Sequence, residues 1–105
     1  MKVSDLSGAR LDLWVHRAER SDEVPVPLYS SDWGVAGPII EREHIVLQFF
    51  REYDTRTAAV TEHWGARVHH DDYPPNRRYH ASSPLVAAMR AYVARKFGDD
   101  IVDGQ

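Results

Sequence analysis

The sequence predicts an α+β fold, a small antiparallel sheet packed by an N-terminal and a C-terminal α-helix, with one short additional helix. Three observations carry it. Leu11, Trp14, Val15 and Ala18 fall at i, i+3, i+4 and i+7, one apolar helical stripe. Residues 44–50 are rich in β-branched and aromatic types, and in residues 64–69 larger apolar side chains alternate with glycine and polar ones, two patterns of β-strands. Residues 83–98 return to helical spacing, with a start signal and a stop signal at their ends.

In the first helix Ser7 is the expected N-cap, because its hydroxyl can accept from backbone N–H groups freed at a helix start. Leu6 and Leu11 then occupy the two positions of a hydrophobic staple. Asp12 and His16 lie one turn apart on a flanking face, which predicts a surface ion pair in preference to a catalytic dyad. The helical pattern stops after Glu19. Pro25 and Pro27 make the next stretch an extended connection.

Residues 29–43 read Y-S-S-D-W-G-V-A-G-P-I-I-E-R-E. A Ser-Asp turn leads through Trp33 and a glycine-bearing loop to Pro38, expected as the first residue of the short helix. Ile39, Ile40 and Ile45 are its expected buried contacts. On the strand that follows, Ile45, Leu47 and Phe49 face one side, and residues 51–57 form a polar turn. A second strand is expected within 58–70, most clearly at 64–69, where Trp64, Ala66 and Val68 alternate with Gly65, Arg67 and His69, so the two make an antiparallel hairpin or small meander. Residues 70–83 are polar, carry Pro74-Pro75 and read as a loop.

The C-terminal core helix is expected over 81–98. Ser83 caps it, Pro84 suits its first position, and Gly98 ends it directly after Arg95, Lys96 and Phe97. Leu85, Met89 and Val93 mark one side and Ala87, Ala91 and Ala94 the other. A helix this apolar all round is expected to be covered on more than one face. It is therefore central, or its alanine strip receives a second copy and makes a homodimer. Residues 99–105 form an acidic tail.

A chain of 105 residues suits a single domain with one core. The formal charge of −3 argues against coating duplex DNA by charge alone. The absence of cysteine excludes disulfides, thiol nucleophiles and cysteine-ligated zinc, and fits a reducing compartment. No export signal or membrane-spanning run is visible, so the expected location is the cytoplasm.

Three separated motifs carry a family resemblance: V-S-D-L-S-G-A-R-L-D-L-W-V near the start, Y-S-S-D-W…G-P-I-I-E-R-E, and S-P-L-V-A-A-M-R-A-Y-V-A-R-K-F-G-D-D near the end. Together, in that order, they resemble the NinX-like family of small tailed-phage proteins. The likeness covers residues 3–19, 29–45 and 82–102; residues 48–80 match loosely around Trp64, and nothing is carried over there. Relatives commonly have a second glycine where this chain has Ala36. The family has no established activity. The resemblance implies a setting: a phage or prophage accessory gene whose product acts on host or recombination functions in the bacterial cytoplasm.

The histidines raise a metal reading, above all His69, His70, Asp71 and Asp72 with His63 and His80 near in sequence. Adjacent histidines on a strand point to opposite faces, however, and no H-E-x-x-H spacing occurs, so a solvated loop is expected and no metal or cofactor is assigned. No serine sits in G-x-S-x-G. Glu41 and Glu43, two apart on a helix, point in different directions. No catalytic residue is assigned.

The one ligand site the residues suggest is an anion site. Gly37-Pro38 would open a helix with free N–H groups, Arg42 and Arg90 would supply charge, and Tyr29 or Trp33 would stack on a ring. The bland alternative packs Trp33 in the core and pairs the arginines with Asp32, Glu41 or Glu43. R-R-Y-H at residues 77–80, with Arg67 on the strand before it, mixes basic and aromatic residues as nucleic-acid binders do. With Asp71 and Asp72 beside it, a solvated loop is the expectation, and nucleic acid is not the expected partner.

The first functional expectation is a non-catalytic binding module engaging a host protein. The second is a small-ligand, nucleotide-like binder using the loop of residues 33–42. A metal-dependent hydrolase is third.

Overall fold

The computed structural model describes residues 1–69 and 78–102. A one-turn 3-10 helix, Val3–Asp5, is followed by α1 (Gly8–Glu19), α2 (Trp33–Glu43), β1 (Ile45–Tyr53), β2 (Val60–Val68), β3 (Tyr79–Ala81) and α3 (Pro84–Phe97). Three helices against an antiparallel sheet are the α+β fold the periodicities require.

In α1 the stripe is as expected, with Leu11, Trp14 and Val15 buried. Ser7 is the N-cap residue, but its hydroxyl makes no capping bond; its carbonyl accepts from the Leu11 amide at 3.2 Å instead. Leu6 and Leu11 are both fully buried, consistent with the staple. Asp12 and His16 are not a surface pair. Both are buried, and each turns to the chain that follows α1: Asp12 Oδ1 accepts from the Ser30 amide at 2.7 Å, and His16 Nδ1 lies 3.2 Å from the Tyr29 hydroxyl. A buried carboxylate needs hydrogen-bond partners, and a turn docked on the helix supplies one here.

The second helix starts earlier than expected. Pro38 lies inside α2, five residues past its first residue Trp33. The cap is Asp32, whose Oδ1 accepts from the Gly34 amide at 2.8 Å while its carbonyl accepts from Val35 and Ala36. The proline ring removes one intrahelical donor, to the Gly34 carbonyl, and that carbonyl sits on an exposed first turn open to water. Buried Ala36 and Ile39 anchor the helix on the core, which offsets two glycines and a proline.

The sheet order is β1-β2-β3, antiparallel throughout. The register pairs Ile45 with Val68, Leu47 with Ala66 and Phe49 with Trp64, so the two alternating sets predicted from sequence face the same side. β1 runs further than expected, to Tyr53, into the stretch expected as a polar turn, while β2 lies within the expected 58–70. Their turn is closed by the Asp54 amide donating to the Ala59 carbonyl at 2.9 Å. β3 is a correction: residues 79–81, expected as loop, pair with Trp64, Gly65 and Ala66.

Ser83 caps α3, accepting from the Val86 amide, Pro84 is its first residue, and the Gly98 amide closes its end on the Ala94 carbonyl at 2.7 Å. It begins at Pro84 rather than 81, because Ala81 belongs to β3. This helix is the centre of the molecule, packed by the sheet and by α1 and α2. Ala87 is 0% and Ala91 3% exposed, and Ala94 is half-buried. The alanine strip expected to meet a second copy is therefore largely covered by the chain's own elements. Small side chains there let neighbouring backbones approach closely.

Of the acidic tail, Asp99 to Ile101 is docked on the chain start: the Val3 amide donates to the Asp99 carbonyl and the Ile101 amide to the Met1 carbonyl, both at 2.8 Å. Ile101 is buried. Residues 103–105 lie outside the described residues.

Candidate functional site

The five residues singled out for a ligand do not converge. Tyr29 is buried against His16, and desolvation, with Glu19 and Glu23 nearby, pushes its hydroxyl pKa up. Trp33, expected in the core by the bland reading and on a ligand by the other, is 53% exposed at the start of α2. Gly37 lies inside α2, so the free N–H groups proposed at Gly37-Pro38 are not a helix start. Arg42 and Arg90 have separate partners in separate places.

Arg42 is held by carboxylates. Its Nη1 and Nη2 donate to the two Glu19 oxygens at 3.2 and 2.7 Å, and Nε donates to Glu43 at 2.8 Å. The same Nη2 donates to the Tyr92 hydroxyl at 3.1 Å, and that hydroxyl donates to Glu19. The fork thus joins α1, α2 and α3 at their C-terminal ends. Desolvation alone would raise the Glu19 carboxyl; hydrogen bonds from Arg42 and Tyr92 outweigh it and hold the group below its ordinary value. Desolvation and the bond to Glu19 push the Tyr92 hydroxyl up. An open cleft of about 430 Å³ adjoins, lined by Arg17, Arg20, Arg42 and Lys96 with Glu19 and Glu43. Tyr29, Trp33, Gly37 and Arg90 do not line it. Three helix C-termini meet here, so the cations complement helix dipoles before they serve any ligand.

Arg90 is a strut. Its Nε donates to the Leu6 carbonyl at 2.8 Å and its Nη1 to the His80 carbonyl at 2.6 Å, tying β3 to the N-terminal segment. Burial lowers its pKa, with Asp5 opposing.

What Arg90 supports is a site that sequence reasoning dispersed. On the sheet face turned away from α3, Phe50, His63 and His80 come together from three strands. The Phe50 ring stacks on His63, with centroids 5.0 Å apart and planes 9° apart, and lies 5.7 Å from His80. The imidazoles are 5.1 Å apart, edge to face. The Arg78 guanidinium sits 5.9 Å from the Phe50 ring centre. Gly65 makes room: a Cβ there would stand 2.7 Å from Phe50 Cε2, so any other residue would lift the ring. An aromatic laid across a strand glycine shields its backbone, a structural role complete in itself. Beside the cluster lies an open cleft of about 340 Å³ lined by Lys2, Ser4, Arg78, Tyr79, His80 and Asp99. The Tyr79 hydroxyl donates to Asp99, and Lys2 lies 3.6 Å from Asp100.

The signal for this cluster was available in part. Once Ile45, Leu47 and Phe49 face inward, Phe50 must face outward, and His63 is its partner in the register. His80 was not reachable, because a three-residue strand shows no periodicity. Of the cluster His69–Asp72, His69 is exposed and its amide donates to the His44 carbonyl at 3.0 Å; the other three lie outside the described residues. Among the described residues no group of three or more metal-ligating side chains comes together.

None of the described helices is long and apolar enough to cross a membrane. Comparison with curated proteins finds no match. The family model described as Bacteriophage P22, NinX matches residues 27–96. The match includes the middle region, where the motif likeness was loose, and leaves out the N-terminal motif. Spanning α2, the whole sheet and nearly all of α3, it covers two thirds of the chain, which therefore belongs to the Bacteriophage P22 NinX family.

Proposed function

We propose that the protein is a non-catalytic binding module by which a phage engages a host factor in the cytoplasm of its host. The observation that carries this reading is the cluster of Phe50, His63, His80 and Arg78 on the sheet face away from α3. Aromatic and guanidinium groups are enriched among the side chains that anchor recognition, and here three strands hold the rings while Arg78 stands just before β3. Arg90 fixes the backbone of β3 beneath them.

The test is native mass spectrometry and cross-linking of tagged protein purified from bacterial host cells. A bound component that is retained by the wild type and lost in His80→Ala, with an unchanged unfolding midpoint, supports the reading. Turnover of a phosphoester or nucleotide panel by the purified protein, abolished by a single substitution, replaces it with an enzyme.

A small-ligand reading keeps one observation, the cationic cleft beside Arg42. A nucleotide or dicarboxylate held there would raise the unfolding midpoint with concentration, and Lys96→Ala would reduce the shift.

A further inference from the structure

Resting on the binding-module reading, we propose that the Phe50 face binds single-stranded nucleic acid. Its planar groups are Phe50, His63 and His80, one from each strand of the sheet. Proteins that hold single strands without reading sequence set bases on such rings and track the backbone with cations. The cations are present: Arg78 over the Phe50 ring, and Arg67 projecting from β2 on the same side as His63. Glu52, which shares that side, stands towards the hairpin turn, two positions beyond Phe50 on β1.

The neighbouring cleft continues the site. Arg78 and His80 line both, and the cleft adds Lys2. Its acid, Asp99, already accepts from the Tyr79 hydroxyl, and Lys2 is near Asp100. A base over Phe50 and His80 would thus have Arg78 between it and a channel for the next phosphate. The chain's net charge of −3 does not oppose this, because screening confines electrostatics to about 10 Å and the acids of the Arg42 fork belong to the helix ends. Exposed His80, beside Phe50 and Arg78, sets an aromatic ring next to a cation, the pairing that suits a base and its phosphate.

The experiment is fluorescence anisotropy of labelled DNA and RNA single strands of about 12 nucleotides, with a duplex of the same sequence, at roughly 50 and 200 mM salt. Binding of a single strand in preference to the duplex is expected, and the DNA and RNA arms identify which strand is held. Phe50→Leu should weaken binding roughly 5- to 150-fold, the worth of one base on one ring, while Phe50→Tyr keeps it. Arg78→Ala should lower the slope of log K against log salt by about 0.7, one phosphate contact on a single strand. Arg56→Ala, an exposed cation at the hairpin turn outside both clefts, should change neither. Unfolding midpoints are measured for every variant, and Arg78→Ala, a half-buried surface change, decides the matter if Phe50→Leu fails to fold. Equal binding of duplex and single strand, or binding unaffected by Arg78→Ala, overturns the proposal. Absence of oligonucleotide binding while a host protein is still captured, and lost in His80→Ala, overturns the nucleic-acid inference and leaves the binding module standing. Absence of both overturns the two together.

Discussion

Single residues carry different duties from those their types suggest. Trp33 is the clearest case, since a tryptophan in a soluble chain is expected to be largely buried. Here it opens α2 and is 53% exposed, while Trp14 is 2% exposed and meets Phe97 edge to face at 5.2 Å. Trp33→Ala should therefore change stability by about 0.5 kcal/mol or less, as surface substitutions do, rather than the roughly 3–5 kcal/mol of a cavity in the core. Urea unfolding of the two proteins checks this. A loss above about 3 kcal/mol would return Trp33 to a packed position. Asp12 and His16 show the opposite displacement: charged types at a helix surface spacing are taken inside by the turn that crosses them. Sequence shows spacing along one helix, and it does not show which segment later lies over it.

At the scale of elements, α3 decides the architecture. Its caps and its apolar side were legible, because caps and helical periodicity are properties of neighbouring residues. Whether the alanine side faced water, a second copy or the chain itself was not legible, because alanine suits all three. At Ala91, 3% exposed, the chain itself supplies the cover. Ala91→Glu should consequently cost several kcal/mol, about 3–5 by analogy with an uncompensated buried charge, and abolish the cooperative melt. Circular dichroism against temperature provides the measurement. A variant that melts like the wild type but sediments at a smaller mass would restore the strip as an interface. The start of α2 was misplaced for a related reason. Proline favours a first-turn position, but Asp32 offered an earlier cap, and core contacts through Ala36 and Ile39 held the intervening turn.

At the scale of the whole molecule, the Glu19–Arg42–Tyr92 network ties three helices together, and it should leave a signature in the pH dependence of stability. Glu19 has a folded pKa below its ordinary 4.5, against the pull of desolvation, because Arg42 and Tyr92 bond to the carboxylate. Its contribution is therefore full above pH 4.5 and lost as pH falls through the folded value. Tyr92 behaves in the opposite sense. Its pKa rises from 10.0 through desolvation and the bond to Glu19, so its contribution is full below pH 10.0 and declines above it, where the unfolded chain ionises first. Glu19→Gln should flatten the acid limb of the stability curve, and Tyr92→Phe the alkaline limb, each read from denaturant midpoints across pH. A Glu19→Gln protein with an unchanged acid limb would mean that the network contributes no net stability.

The two long helices, the inward faces of β1 and β2, and the family were legible in the sequence; the register of the two strands was not, because a two-residue slip preserves both faces. The legible features follow from periodicities and caps spanning a few neighbouring residues, or from motifs read in order. Tertiary structure alone decided the rest: the burial of Asp12, His16 and Ala91, the pairing of β3, the docking of Ile101 on Met1, and the meeting of Phe50, His63 and His80 on one face. Each depends on what lies across from a residue rather than beside it, and that partner is chosen by long-range packing, whose entropy cost and contact energy are properties of the whole chain.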